Sequence, residues 1–206
     1  MPALSAAQLA LLPGFALFIF AGSVTPGPNN IMILASGANF GIRRSLPHLC
    51  GIAMGFAFML AVVGLGLGAV FLASPALQAA MRVAGLAYIL WLAWRIATAQ
   101  GLGEAGAAPQ PLTFVQAALF QWVNVKAWML VTGAVAVHTA PGEAMLLAGP
   151  VLALICVVVN LPSVAIWLVL GVGLRRLLAR PAALRGFNLA MAALLVLSIL
   201  PMLRTP

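Results

Sequence analysis

Thr25-Pro26-Gly27-Pro28-Asn29-Asn30 interrupts the apolar run that opens this chain. Two prolines and a glycine in three consecutive positions cannot continue an α-helix. Each proline lacks a backbone donor and clashes with the preceding turn, and the glycine adds conformational freedom. In water this would be an ordinary turn. In hydrocarbon the freed carbonyls have no solvent partner, so a chain that keeps such a break at membrane depth is expected to use it.

Composition places the break at that depth. Of 206 residues, 65% are hydrophobic and 6% charged, with a mean hydropathy of +1.17. Soluble domains carry about 25% charged residues, so the chain reads as an all-α polytopic membrane protein. Its apolar runs are too continuous for the alternating strands of a β-barrel. The net charge of +8 comes from basic residues scattered singly and in pairs. They read as loop markers facing an anionic lipid bilayer, and no nucleic-acid surface is expected. The N-terminus lacks a basic leader region and its apolar stretch contains Pro13, so no cleaved signal peptide is expected. Cys50 and Cys156 lie in apolar stretches without metal-type spacing and read as buried free thiols. No metal and no cofactor are implied.

A span of about 20 residues divides the chain into six segments: 8–36, 46–73, 77–99, 112–137, 144–174 and 183–203. The first is broken at Pro26 to Pro28 and the second ends at Ser74-Pro75. A Gly/Ala/Pro-rich connector, 100–111, separates halves of about 1–99 and 112–206 within a single transmembrane domain, 1–206. With three spans per half, the second half is inverted relative to the first. Phe20 and Phe120 are expected at similar depths, each ahead of its half's polar cluster. Matched interruptions in two halves point to a transporter's binding site. Asn160-Leu161-Pro162 adds a smaller irregularity in span 5.

Arg43, Arg44, Arg95, Arg175, Arg176, Arg180 and Arg185 fall on one side of this arrangement, and Arg82 and Arg204 on the other. The positive-inside rule then predicts both termini outside the cytoplasm, although a five-span arrangement would bring the N-terminus inside.

Polar residues within the spans carry the functional reading. Lys126 lies mid-span in Phe120-Gln121-Trp122-Val123-Asn124-Val125-Lys126. A lysine there costs about 2.5–3.5 kcal/mol on insertion scales and usually faces a pathway or partner. Placing 112–126 on the membrane surface instead would leave too short a span before Pro141. Gln121, Asn124 and Lys126 are therefore expected to face the interior. The chain's two acids, Glu104 and Glu143, fall in predicted loops. No intramembrane carboxylate is available for a cationic substrate, a proton relay or paired-carboxylate chemistry. His48 and His138 lie near span ends, with His48 nearer the cytoplasmic mouth. Gly51/Gly55 and Gly64/Gly68 repeat at four residues and predict close helix packing on two faces. Gly101-Leu102-Gly103-Glu104-Ala105-Gly106 fits a dinucleotide fingerprint only formally, since no strand precedes it.

Thr25-Pro26-Gly27-Pro28-Asn29-Asn30 with Gly41, Gly51 and Gly55 resembles the first half of the LysE/RhtB amino-acid exporters. Ala84-Gly85-Leu86-Ala87-Tyr88 and the Asn124/Lys126 pair extend the resemblance over the whole chain. Most of that family has proline between the span-4 asparagine and lysine. Here the residue is Val125, which leaves open whether span 4 is broken. Val123-Asn124-Val125-Lys126 and the stretch from Tyr88 to Thr98 are similar to the cysteine/O-acetylserine exporter subgroup. The resemblance implies efflux of small neutral amino acids across the bacterial inner membrane, driven by protons, with no enzymatic activity.

The residues suit a small zwitterion. Pro28 is a favoured first helical residue, so the amides at Asn29 and Asn30 can face a carboxylate. Carbonyls from Gly22 to Thr25 can receive an ammonium. The expected binding set is Thr25, Pro26, Gly27, Pro28, Asn29, Asn30, Gln121, Asn124 and Lys126, with Lys126 or His48 coupling to protons. A passive channel and a non-transporting scaffold remain alternatives, as does assembly into a homo-oligomer.

Overall fold

The computed structural model describes residues 6–99, 110–138 and 143–198, all but short links helical. The Glu104 segment, Leu203 at the end of the sixth predicted span and Arg204 lie outside the described residues. Helix α1 (Ala6–Val24) stops at the proline break, and α2 (Pro28–Val62) starts at Pro28. A π-helical turn (Val63–Leu67) leads to α3 (Gly68–Ala73). There follow α4 (Pro75–Ala97), α5 (Phe114–Val123), α6 (Val125–His138), α7 (Glu143–Leu174) and α8 (Pro181–Leu197).

Local chemistry explains several of these boundaries. Ser74 caps α4 by accepting from the Leu77 amide at 3.3 Å, and Pro75 takes the first helical position. Thr113 and Gln116 form a reciprocal capping box at the start of α5, with bonds of 3.2 and 3.0 Å. Helix α7 runs through both Pro150 and Pro162, so the irregularity expected at Asn160-Leu161-Pro162 does not end the helix.

The gap expected between spans 1 and 2 is absent as a loop. Gly41, with φ 78° and ψ 177°, turns the chain within α2 in a single residue, a conformation open to glycine alone. Ser36 and Ser45 would lie about 13.5 Å apart along a straight helix. Their hydroxyls are 2.8 Å apart, so residues 42–62 fold back beside 28–40.

Helix α7 runs along the other side of this pair. Leu152 and Cys156 share a core with Phe15 and Ile19, Asn160 reaches Ser23, and Gly171 lies against the backbone at Leu34 and Ala38. Helix α1 and residues 28–40 therefore continue in one direction across the break, parallel to α7. Helix α6, by contrast, opposes α1, with Leu130 against Gly22 and His138 against Gly14. Helix α5 packs on α2, with the Phe114 carbonyl against Gly51 and Ala118 against Gly55. Gly68, by contrast, has Val63 of its own segment as nearest neighbour, while Gly66 at φ 117° and the neighbouring Gly64 belong to the π-helical turn. These glycines shape the backbone where a second packing seam was expected.

Two apolar cores result. One gathers Ile33, Ile52, Ile89, Phe120, Leu168 and Leu195; the other gathers Phe15, Ile19, Met59, Leu60, Val131 and Leu152. The outward faces are apolar as well, with Leu17, Phe58, Val83, Leu119, Met129 and Leu154 exposed. A surface of this kind suits hydrocarbon, and the protein is a polytopic helical membrane protein. Among the described residues, three helical stretches are long and apolar enough to cross alone: Pro28–Gly66, Pro75–Ala97 and Gly149–Leu174. Phe20 and Phe120 differ in burial, Phe20 being 45% exposed and Phe120 1% exposed.

Candidate functional site

The freed carbonyls at the first break all find partners. Thr25 Oγ1 donates to the Gly22 carbonyl at 2.9 Å, and Trp167 Nε1 to the Val24 carbonyl at 3.1 Å. Asn30 Nδ2 donates to the carbonyls of Ser23 and Thr25 at 2.8 and 2.7 Å. Lys126 Nζ donates to the carbonyls of Thr25 and Pro26 at 2.6 and 3.1 Å, and to Thr25 Oγ1 at 2.9 Å. The break thus places a lysine ammonium at the C-terminal, electronegative end of α1. Buried backbone acceptors need such partners where water is scarce.

Lys126 reaches this position from a second break. Asn124 has an extended backbone, φ −88° and ψ 104°, between α5 and α6. Its amide donates to the Gln121 carbonyl at 3.3 Å, and its Oδ1 accepts from the Lys126 amide at 3.2 Å. One residue therefore ends α5 and caps α6. Trp128 Nε1 satisfies the Trp122 carbonyl across the gap at 2.7 Å. Span 4 is broken after all, immediately before Val125 and without a proline.

Side chains tie the two breaks together. Asn29 and Gln121 exchange amide hydrogen bonds at 2.8 and 3.2 Å, and Gln121 also donates to the Ala117 carbonyl. Gly27 has an extended φ of 179°, which any residue can adopt. Its role is space: an added Cβ would come within 2.7 Å of Lys126 Cδ and 3.0 Å of Nζ. Pro28 opens α2, and the Ile31 amide is the first to bond back, to the Gly27 carbonyl at 3.0 Å. The amides of Asn29 and Asn30 therefore precede the helical ladder.

Thr25, Pro26, Gly27, Asn29, Asn30, Gln121, Asn124 and Lys126 thus meet in one place, between the two apolar cores. Pro28 supports them by starting the helix. His48 does not join them: it lies beyond Gly41 on α2 and lines a separate cavity. His138 packs against Phe15 and Phe18 near the far end of α6.

The cavity between the breaks includes two polar side chains that sequence reasoning did not assign to it, those of Ser23 and Asn160. Asn160 Nδ2 donates to Ser23 Oγ at 2.8 Å, while buried Asn160 Oδ1 has no partner among the described residues. Asn160 is the sole amide side chain of its span, a signal that intramembrane polarity alone provides. Phe56, Leu130 and Val164 add an apolar wall. Polar groups of both signs converging beside an apolar surface can orient a small zwitterion.

Helices interrupted at a shared polar cavity define a class, the translocators built around broken membrane helices. The family model of the LysE type translocator matches residues 20–200. The chain belongs to this family, one of transporters rather than enzymes. It is similar to proteins named cysteine/O-acetylserine efflux protein from Escherichia coli (strain K12) and Shigella sonnei (strain Ss046). Each is 38% identical over 117 residues, a match covering 56% of this chain and 59% of the relative. No solved structure matches.

Proposed function

We propose that the chain exports small neutral amino acids, cysteine and O-acetylserine or the similarly sized homoserine, threonine and leucine, across the bacterial inner membrane in exchange for protons. In this reading six spans form two inverted halves, 1–99 and 112–206, joined by the connector 100–111. The antiparallel course of α1 and α6 supports that inversion, as does the presence of a break in each half. The positive-inside distribution of arginines keeps both termini outside the cytoplasm.

The observation that carries the proposal is the Lys126 ammonium on the carbonyls of Thr25 and Pro26. These oxygens form the seat an amino-acid ammonium would take, so substrate and Lys126 compete for it. The substrate carboxylate would face the amides at Asn29 and Asn30, on the electropositive start of α2. Asn160 Oδ1 offers another acceptor to the incoming ammonium. Once displaced, Lys126 either anchors the carboxylate or gives up its proton, coupling movement of the substrate to the gradient. No acid lines this cavity among the described residues, which favours a neutral substrate over lysine or arginine.

Counterflow in proteoliposomes tests the proposal, using cysteine, O-acetylserine, homoserine, threonine and leucine with and without a pH gradient. Accumulation of at least one of them, accelerated by the gradient and lost in folded Lys126→Ala and Pro26→Ala variants, is expected. Wild-type rates in those variants would remove the proposed site, and flux indifferent to the gradient would indicate a passive channel.

A further inference from the structure

The second cavity lies where α2 turns at Gly41, enclosed by residues 28–40, the returning part of α2, the end of α4 and residues 110–112. Most of its polar groups are engaged. Ser36 Oγ pairs with Ser45 Oγ. Asn39 and Asn188 exchange amide bonds at 2.8 and 3.1 Å, and Asn188 also donates to the Ala99 carbonyl at 3.1 Å. Two lining groups keep capacity. His48 is 2% exposed, yet neither ring nitrogen has a partner among the described residues. Arg95 lies over Trp91 and donates to the Gln110 carbonyl at 3.1 Å; a guanidinium has five donors in all.

An unpartnered buried imidazole is costly, and native structures rarely leave one without a reason. Here it lines the same cavity as a guanidinium, the side chain best shaped for a carboxylate. Leu92, Ile96 and Leu112 complete an apolar wall. The cavity sits at the basic end of the molecule, where Arg175 lies against Gly41 and Arg44 over Phe40. By charge, that end faces the cytoplasm. Asn29, Met32, Ser36 and Asn39 follow helical spacing along one face of 28–40, so Ser36 lies about 10.5 Å along the helix from Asn29 at the breaks.

We infer that this cavity is a second amino-acid binding site on the cytoplasmic side, with Arg95 taking the substrate carboxylate and His48 its ammonium. The substrate would then follow the face of 28–40 to the breaks. The assignment deepens the transport reading and rests on it for the identity of the ligand.

Site-directed labelling tests it. Ser36→Cys in a Cys50→Ala, Cys156→Ala background is exposed to a membrane-impermeant methanethiosulfonate in inside-out vesicles, with Ala99→Cys as a second reporter should Ser36→Cys misfold. O-acetylserine, homoserine, threonine and leucine serve as protectants, because cysteine would consume the reagent. Labelling from the cytoplasmic side is expected, slowed by at least one of these amino acids and not by a simple amine lacking the carboxylate. Protection should persist with Lys126→Ala, which disables the site at the breaks. Arg95→Gln and His48→Ala should each raise the half-protecting concentration by about tenfold or more. Labelling that no amino acid slows would overturn the second site, as would protection lost in Lys126→Ala but kept in Arg95→Gln. Wild-type counterflow without protection removes this site alone; protection without any counterflow removes the transport reading and leaves the site.

Discussion

The two breaks reach similar ends by different chemistry. The first is made by Pro26, Gly27 and Pro28, residues that forbid a helix wherever they stand. The second contains neither proline nor glycine, and Asn124 interrupts the helix by capping α6 with its side chain. The first break exposes five successive carbonyls, from Gly22 to Pro26, and those of Val24, Thr25 and Pro26 draw partners from distant residues, Trp167 and Lys126. The second is nearly self-sufficient, since Asn124 and Trp128 satisfy its neighbours. A rigid break thus presents acceptors, and a softer one delivers the cation that fills them.

Lys126→Ala strikes the contact between the two breaks and should have the largest effect. Losing three charge-assisted hydrogen bonds should lower counterflow by about a hundredfold or more. Thermal stability in detergent should change far less, because an intramembrane lysine is itself costly. A variant that unfolds in parallel with its loss of transport would instead make Lys126 a structural strut.

Gly27→Ala tests whether the first break needs its open space. Alanine accepts the extended backbone at this position, but its Cβ would press on the flexible end of Lys126. The fold should persist while counterflow falls by about tenfold, equivalent to about 1.4 kcal/mol. Unchanged transport would show that the lysine has more freedom than these contacts allow.

At the second break, Asn124→Ala removes the cap of α6. A cost of about 1 kcal/mol is expected, read as a lower melting temperature and about a fivefold slower counterflow. Val125→Pro should have the smallest effect, with transport within about twofold of wild type. Proline suits the first position of α6, and the extended Asn124 before it is the conformation that a following proline favours. A large loss would mean that the second break must flex during transport, which would sharpen the contrast with the first.

Much of the candidate site was legible in the chain because its residues are anomalous where they stand. Prolines in an apolar run and a lysine in mid-span announce themselves through backbone chemistry and insertion cost. The second break was not legible, since Asn124 flanked by two valines has no strong breaking tendency of its own. Gly41 was visible as a glycine between spans and as part of the family resemblance, but not as a turn; its single-residue reversal kept helical a region that reads as a loop. Phe20 and Phe120 look equivalent by position, yet their burial depends on how each helix is rotated in the bundle. Asn160 and Ser23 carried a faint signal, a lone amide and a hydroxyl among apolar neighbours, which becomes a site only once α1 and α7 are side by side.

Composition and local backbone chemistry alone determined that this is a helical membrane protein, that its first span is broken at Thr25 to Pro28, and that an intramembrane cation must find a partner. Tertiary structure decided which partner. The Lys126–Thr25 contact joins residues 101 apart in sequence, Ser23–Asn160 residues 137 apart, and Asn39–Asn188 residues 149 apart. No helical periodicity specifies such pairings. They depend on how closely small residues such as Gly22, Gly51 and Gly171 let the helices approach, and therefore on the packing of the whole bundle.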